Sequence, residues 1–173
     1  MVSMVTRTPF DQPLSLWDTS QVTDMRSVFL STPFDQDISD WDVGNVKLFS
    51  GMFEDADQFN GDLSGWNIGE NVAPGETINM NAMFRDADMF TGMGLDQWES
   101  NTGSSLSQVD DMAGMFSGTP FDQPVGNWDV GNVTDFAAMF RDAPFNQDLS
   151  GWNIGENVAV GETITMQEMF DGA

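Results

Sequence analysis

The side chains that could do chemistry in this chain are almost all carboxylates. Acidic residues number 28 against 5 basic ones (Arg7, Arg26, Lys47, Arg85 and Arg141), giving a net charge of −23, with no His, Cys or Tyr. Disulfides, thiolate zinc sites, thiol nucleophiles and imidazole bases are thereby excluded. Carboxylates in pairs could bind a cation. Asp35-Gln36-Asp37, Asp55-Ala56-Asp57 and Asp86-Ala87-Asp88 have turn composition, and Asp57-Gln58-Phe59-Asn60-Gly61-Asp62 adds further oxygens. Calcium takes about six to eight oxygen ligands at one point. The candidate metal residues are therefore Asp35, Asp37, Asp55, Asp57, Asp62, Asp86 and Asp88, with Ca2+ as the ion, although the EF-hand spacing with its distal Glu is absent. Paired acids could also hydrolyse a glycoside. A catalytic pair should be unique, however, and these acids recur throughout, with no P-loop or dinucleotide fingerprint beside them. The residues predict no enzyme and no bound cofactor beyond that cation. The competing reading of the same acids is solvated side chains that make turn and cap hydrogen bonds.

What must position these acids is a repeat. Phe10, Phe34, Phe59, Phe90, Phe121 and Phe145 each open an acidic phrase. Trp17, Trp41, Trp66, Trp98, Trp128 and Trp152 follow, and Phe29, Phe53, Phe84, Phe116, Phe140 and Phe170 close the units. Successive openers are 24, 25, 31, 31 and 24 residues apart. Recurrence at such a period means stacked units, none of which buries its apolar side alone. Phe34 to Met83 and Phe121 to Met169 match almost residue for residue, so a triplet of units is duplicated once. The chain reads as a single array over residues 1–173, with units starting near 10, 34, 59, 90, 121 and 145.

Within a unit, Leu63, Trp66 and Ile68 have the spacing of a leucine-rich-repeat strand. Val46, Phe49, Met52 and Phe53 fall at i, i+3, i+6 and i+7, as do Val133, Phe136, Met139 and Phe140, which predicts a short helical or 3₁₀ stripe. The first part of that segment could instead be the strand, because Thr77-Ile78-Asn79-Met80 and Thr163-Ile164-Thr165-Met166 suit an extended chain. Gly44, Gly69, Gly131 and Gly155 would permit a tight corner after each Trp segment. Ala73-Pro74-Gly75-Glu76 marks a hairpin or loop bulging from one side. The predicted fold class is α/β: a leucine-rich-repeat-like solenoid of about six coils of 24–32 residues, with short parallel strands plus short helices or 3₁₀ turns.

Met1, Met4 and Val5 align with Met25, Val28 and Phe29, and the chain stops at Asp171-Gly172-Ala173, so both ends are cut inside a repeat. This predicts a fragment of a longer array, or ends covered by a partner or by further copies stacked end to end. The charge disfavours nucleic acid and anionic lipid and favours basic protein partners. No apolar run is long enough for direct membrane insertion. No signal segment is seen.

The phrases FDQDISDWDVGNV, FNQDLSGWNIGENV and VTDM…MF…A resemble the BspA-like leucine-rich repeat surface proteins, a domain of unknown function. The similarity covers almost the whole chain. It implies a cell-surface or extracellular location and a role in adhesion or protein–protein contact. It assigns no binding residue. This chain differs from the usual form in its acidity and its Gly-Glu-Thr-Ile insertions. The reading is a non-enzymatic repeat scaffold. A structural subunit docked in a larger assembly is the runner-up, and binding of an ordered surface such as glycan or ice comes third.

Overall fold

The computed structural model describes residues 2–99 and 105–173. It overturns the predicted α/β, leucine-rich-repeat-like solenoid. Among the described residues there is no α-helix, and the only regular elements are β1 (Ile78–Asn79), a 3₁₀ turn (Leu95–Gln97) and β2 (Val109–Asp111). Strands β1 and β2 pair in parallel, Ile78 with Val109 and Asn79 with Asp111, with an irregularity between. Single parallel bridges continue the row from Asp24 to Leu48, Leu48 to Asn79, Asp111 to Asp135 and Asp135 to Thr165. The strand division at Thr77–Met80 is thus partly realised. Leu63, Trp66 and Ile68 are buried but lie in turns and irregular chain rather than in a strand.

The expected helical stripe is a run of turns. Around Phe84, Met83 N–H donates to Met80 O (3.2 Å), Arg85 N–H to Ala82 O (3.2 Å) and Ala87 N–H to Phe84 O (3.1 Å). The amides between them leave the unit altogether. Met80 donates to Asp111 O (2.9 Å), Ala82 to Ala113 O (2.8 Å), Phe84 to Met115 O (3.1 Å) and Asp86 to Ser117 O (2.8 Å). A helix would spend these donors on carbonyls four residues back. The backbone also turns left-handed at Ala82 (φ 53°) and Asp86 (φ 57°), where type II turns need positive φ. Ser27, Ser31, Gly51, Asp55, Gly114, Gly118, Ala138 and Asp142 repeat that conformation in their own units. A segment this short is marginal as a helix in any case, and here every second amide secures the next unit instead.

The apolar stripe is inward all the same. Phe49, Met52, Phe53, Phe136, Met139 and Phe140 have no solvent exposure. The closing rings stack from unit to unit, with centroids 5.4 Å apart for Phe29–Phe53, 5.5 Å for Phe53–Phe84, 5.9 Å for Phe84–Phe116 and 5.8 Å for Phe116–Phe140. Each closer also lies on the next opener, 3.9 Å away for Phe53–Phe59 and Phe84–Phe90. The indoles add a third column, Trp66–Trp98 at 6.5 Å and Trp98–Trp128 at 5.8 Å. From Trp41 onward each indole N–H reaches back one unit, as Trp98 Nε1 donates to Leu63 O (3.0 Å) and Trp128 Nε1 to Leu95 O (3.1 Å). Offset ring contacts and satisfied indoles let side chains this large be fully buried.

The corner glycines act in two ways. Gly69 and Gly155 adopt φ 76°. Gly44 does not; a Cβ there would sit 2.8 Å from Asn71 Nδ2 and 2.9 Å from Asn67 Nδ2. The same crowding recurs at Gly131 with Asn157 (2.7 Å) and Asn153 (2.9 Å), so the duplication extends to detailed packing.

Candidate interaction surface

Many of the acidic side chains are used by the backbone. The carboxylates of Asp37, Asp62 and Asp148 accept the amide two residues on, from Ser39 (3.0 Å), Ser64 (2.8 Å) and Ser150 (2.8 Å). These are Asx turns. A second set joins units at the Phe-Asp/Asn-Gln phrase. Asp35 Oδ1 accepts the Asn60 amide (3.1 Å), and Asn60 Oδ1 accepts the Thr91 amide (2.9 Å). Asp122 Oδ1 accepts both the Asn146 amide (2.9 Å) and Gln147 Nε2 (2.9 Å). A chain built of turns leaves many backbone N–H groups without a ladder partner, and short carboxylates and amides satisfy them.

The candidate metal residues are spread over these duties. Asp35, Asp37 and Asp62 are the acceptors just described. Asp55 Oδ2 accepts from Ser31 Oγ (3.2 Å), and Asp55 and Asp57 line a shallow groove of about 510 Å3 with Ser31, Thr32, Pro33 and Gln58. Asp86 is pushed up from the ordinary aspartate value by burial and then by the charge of Asp55 one unit away. Asp88 is exposed. Among the described residues no three acidic side chains are grouped to hold a metal ion.

The larger feature is a cleft of about 680 Å3 between the two inserted loops. Glu76 and Glu162 stand on its rims, with Gln108, Asp110, Asn132 and Thr134 among the residues lining it. The first loop turns through Gly75 (φ 88°), and Glu76 N–H closes onto Ala73 O (3.0 Å). Gln108 Nε2 pins that loop by donating to Ala73 O (2.8 Å) and Val72 O (3.2 Å). The second loop turns the same way, through Gly161 (φ 101°), with Glu162 N–H on Ala159 O (3.1 Å). Beneath the cleft, Asn132 Nδ2 donates to Ser107 O (2.6 Å), and Thr134 N–H donates to Asp110 O (2.9 Å). Nearby, the Glu99 carboxylate ties two units together by accepting the amides of Leu106 (2.8 Å) and Asp129 (3.2 Å), and burial raises it above the ordinary glutamate value.

The sequence marked the first insertion as a loop but missed the residues that make it a site. The aligned phrase Leu106-Ser107-Gln108-Val109 differs from Val-Gly-Asn-Val in units two and five but shares Ser-Gln-Val with Ser20-Gln21-Val22, so nothing in the sequence singled out Gln108.

The family described as "Mycoplasma protein of unknown function, DUF285" matches residues 1–98 and again residues 78–173. No curated protein and no solved structure matches the chain.

Proposed function

The chain belongs to the DUF285 family, and from that premise we propose that it is a non-enzymatic scaffold for protein–protein contact, of the BspA-like surface kind. The observation that carries this reading is the division of labour among its polar groups. Many of the repeating acids serve the backbone, while the two inserted loops stand apart and line an open polar cleft. A rigid repeated body with irregular loops on one side suits recognition of another macromolecule. The net charge of −23 steers basic proteins toward that side and repels phosphate-rich partners.

The test is binding to a purified basic partner, recovered by cross-linking and measured across ionic strength. Affinity should saturate and fall at least about tenfold between about 50 mM and about 0.5 M salt, as screening removes the long-range attraction. Absence of saturable binding, or an affinity indifferent to salt, contradicts the proposal.

A further inference from the structure

The duplicated triplet supplies an internal comparison between the glutamates of the two inserted loops. In its first copy, Lys47 Nζ meets Glu76 Oε1 at 2.9 Å, so the glutamate of the first inserted loop has a cation. In its second copy the equivalent glutamate is Glu162, and the position of Lys47 is occupied by Thr134: Val46-Lys47-Leu48-Phe49 aligns with Val133-Thr134-Asp135-Phe136. The backbone frames correspond, since the Leu48–Asn79 bridge recurs as Asp135–Thr165. Thr134 cannot supply a charge, and Glu162 forms no ion pair among the described residues. On the adjoining wall the Asp110 Oδ1 oxygen is buried and accepts no hydrogen bond. A buried carboxylate oxygen without a donor is costly, and native structures rarely leave one so. The lining of the cleft includes Glu76, Asp110 and Glu162 and no basic residue.

We propose that the cleft receives, beside Glu162, the ammonium group of a lysine side chain from a protein partner, in the position equivalent to the one Lys47 occupies beside Glu76. Glu162 supplies the ion pair, Asp110 adds negative charge to the wall, and the loops bearing Glu76 and Glu162 form the sides. A point-like ammonium with three donors can pair with a single carboxylate, as Lys47 does with Glu76. This inference rests on the scaffold reading and names the chemistry that its loop side recognises.

The probe is the capped tripeptide acetyl-Gly-Lys-Gly-amide, with its norleucine analogue as the uncharged match, followed by amide chemical-shift perturbation of the whole chain. The lysine peptide should shift the signals of Gln108, Asn132 and Thr134, and the norleucine peptide should bind at least about tenfold more weakly, which corresponds to about 1.4 kcal/mol. Thr134→Lys should abolish peptide binding by filling the position from within. Glu162→Gln, at an exposed residue, should weaken binding about fivefold or more without changing the melting temperature. Equal binding of both peptides, no shift at the cleft, unchanged binding by Thr134→Lys, or displacement of the peptide by Ca2+ alone overturns the inference. Salt-sensitive partner binding that survives in both variants removes this site while leaving the scaffold reading intact. Peptide capture at the cleft without any saturable protein partner does the reverse.

Discussion

Replacing Phe84 by alanine lowers the free energy of unfolding by about 3–5 kcal/mol, the range for emptying a buried aromatic site. Phe84 has no solvent exposure and contacts rings on three sides, Phe53 at 5.5 Å, Phe90 at 3.9 Å and Phe116 at 5.9 Å. Its deletion therefore leaves a gap between units that the rigid turn ladder cannot close. The matched control is Phe170→Ala. Phe170 occupies the equivalent position in the last unit but is 49% exposed and stacks on Phe140 alone, at 5.6 Å. Its loss should cost about 1 kcal/mol or less, in keeping with a half-buried ring. Urea denaturation of the two variants measures both. Equal costs would mean that the rings do not form a continuous column.

The second large effect is acid unfolding. Asp18, Asp37, Asp122 and Asp148 all lie below the ordinary aspartate value of 3.8. The main causes are the Ser20 hydroxyl for Asp18, the Ser39 amide for Asp37, the Gln147 side chain for Asp122 and the Ser150 amide for Asp148. A carboxylate held low in the folded state binds protons more readily when unfolded. Its contribution is complete above 3.8 and disappears as pH falls through the depressed folded value. Asp86 and Glu99 have the opposite sign. Burial raises them, so the folded state takes up their protons first, and stability increases as pH falls from their raised values toward 3.8 and 4.5 respectively. Neutralising part of the −23 charge acts in the same direction, by easing self-repulsion. The melting temperature should therefore rise from pH 7 to a maximum near about pH 4–5 and fall steeply below that. Added salt should raise it at pH 7. Asn at positions 18, 37, 122 and 148 keeps the acceptor oxygen and should flatten the acid limb. A melting temperature that falls steadily from pH 7 downward, or an acid limb unchanged in the fourfold variant, contradicts this use of the carboxylates.

The spacing of Phe and Trp was enough to predict rings in equivalent interior positions, and the internal duplication was legible to the residue. Element type was not. Val46, Phe49, Met52 and Phe53 point inward in a run of three-residue turns almost as they would on a helix, so the apolar period does not separate the two. The deciding feature is positive φ, and where Ala82, Asp86 or Ser31 adopts it in place of glycine the sequence gives no sign. The acids were ambiguous for a related reason. Oxygen-rich phrases such as Asp57 to Asp62 have the composition both of a cation loop and of successive Asx turns, and only the backbone path shows which amides they meet. The cleft depends on two loops 86 residues apart in the chain (Glu76 and Glu162) coming to the same side, which no local pattern encodes.

The central structural claim is that alternate amides in the Met-x-x-Met-Phe segments donate to the following unit. Scalar coupling through hydrogen bonds measures this directly, by correlating an amide nitrogen with the carbonyl carbon that accepts from it. Cross-peaks are expected from Phe53 N to the Met83 carbonyl, from Phe84 N to Met115 and from Phe116 N to Met139. Correlations from those same amides to carbonyls four residues earlier in their own units would instead establish helices and contradict the account.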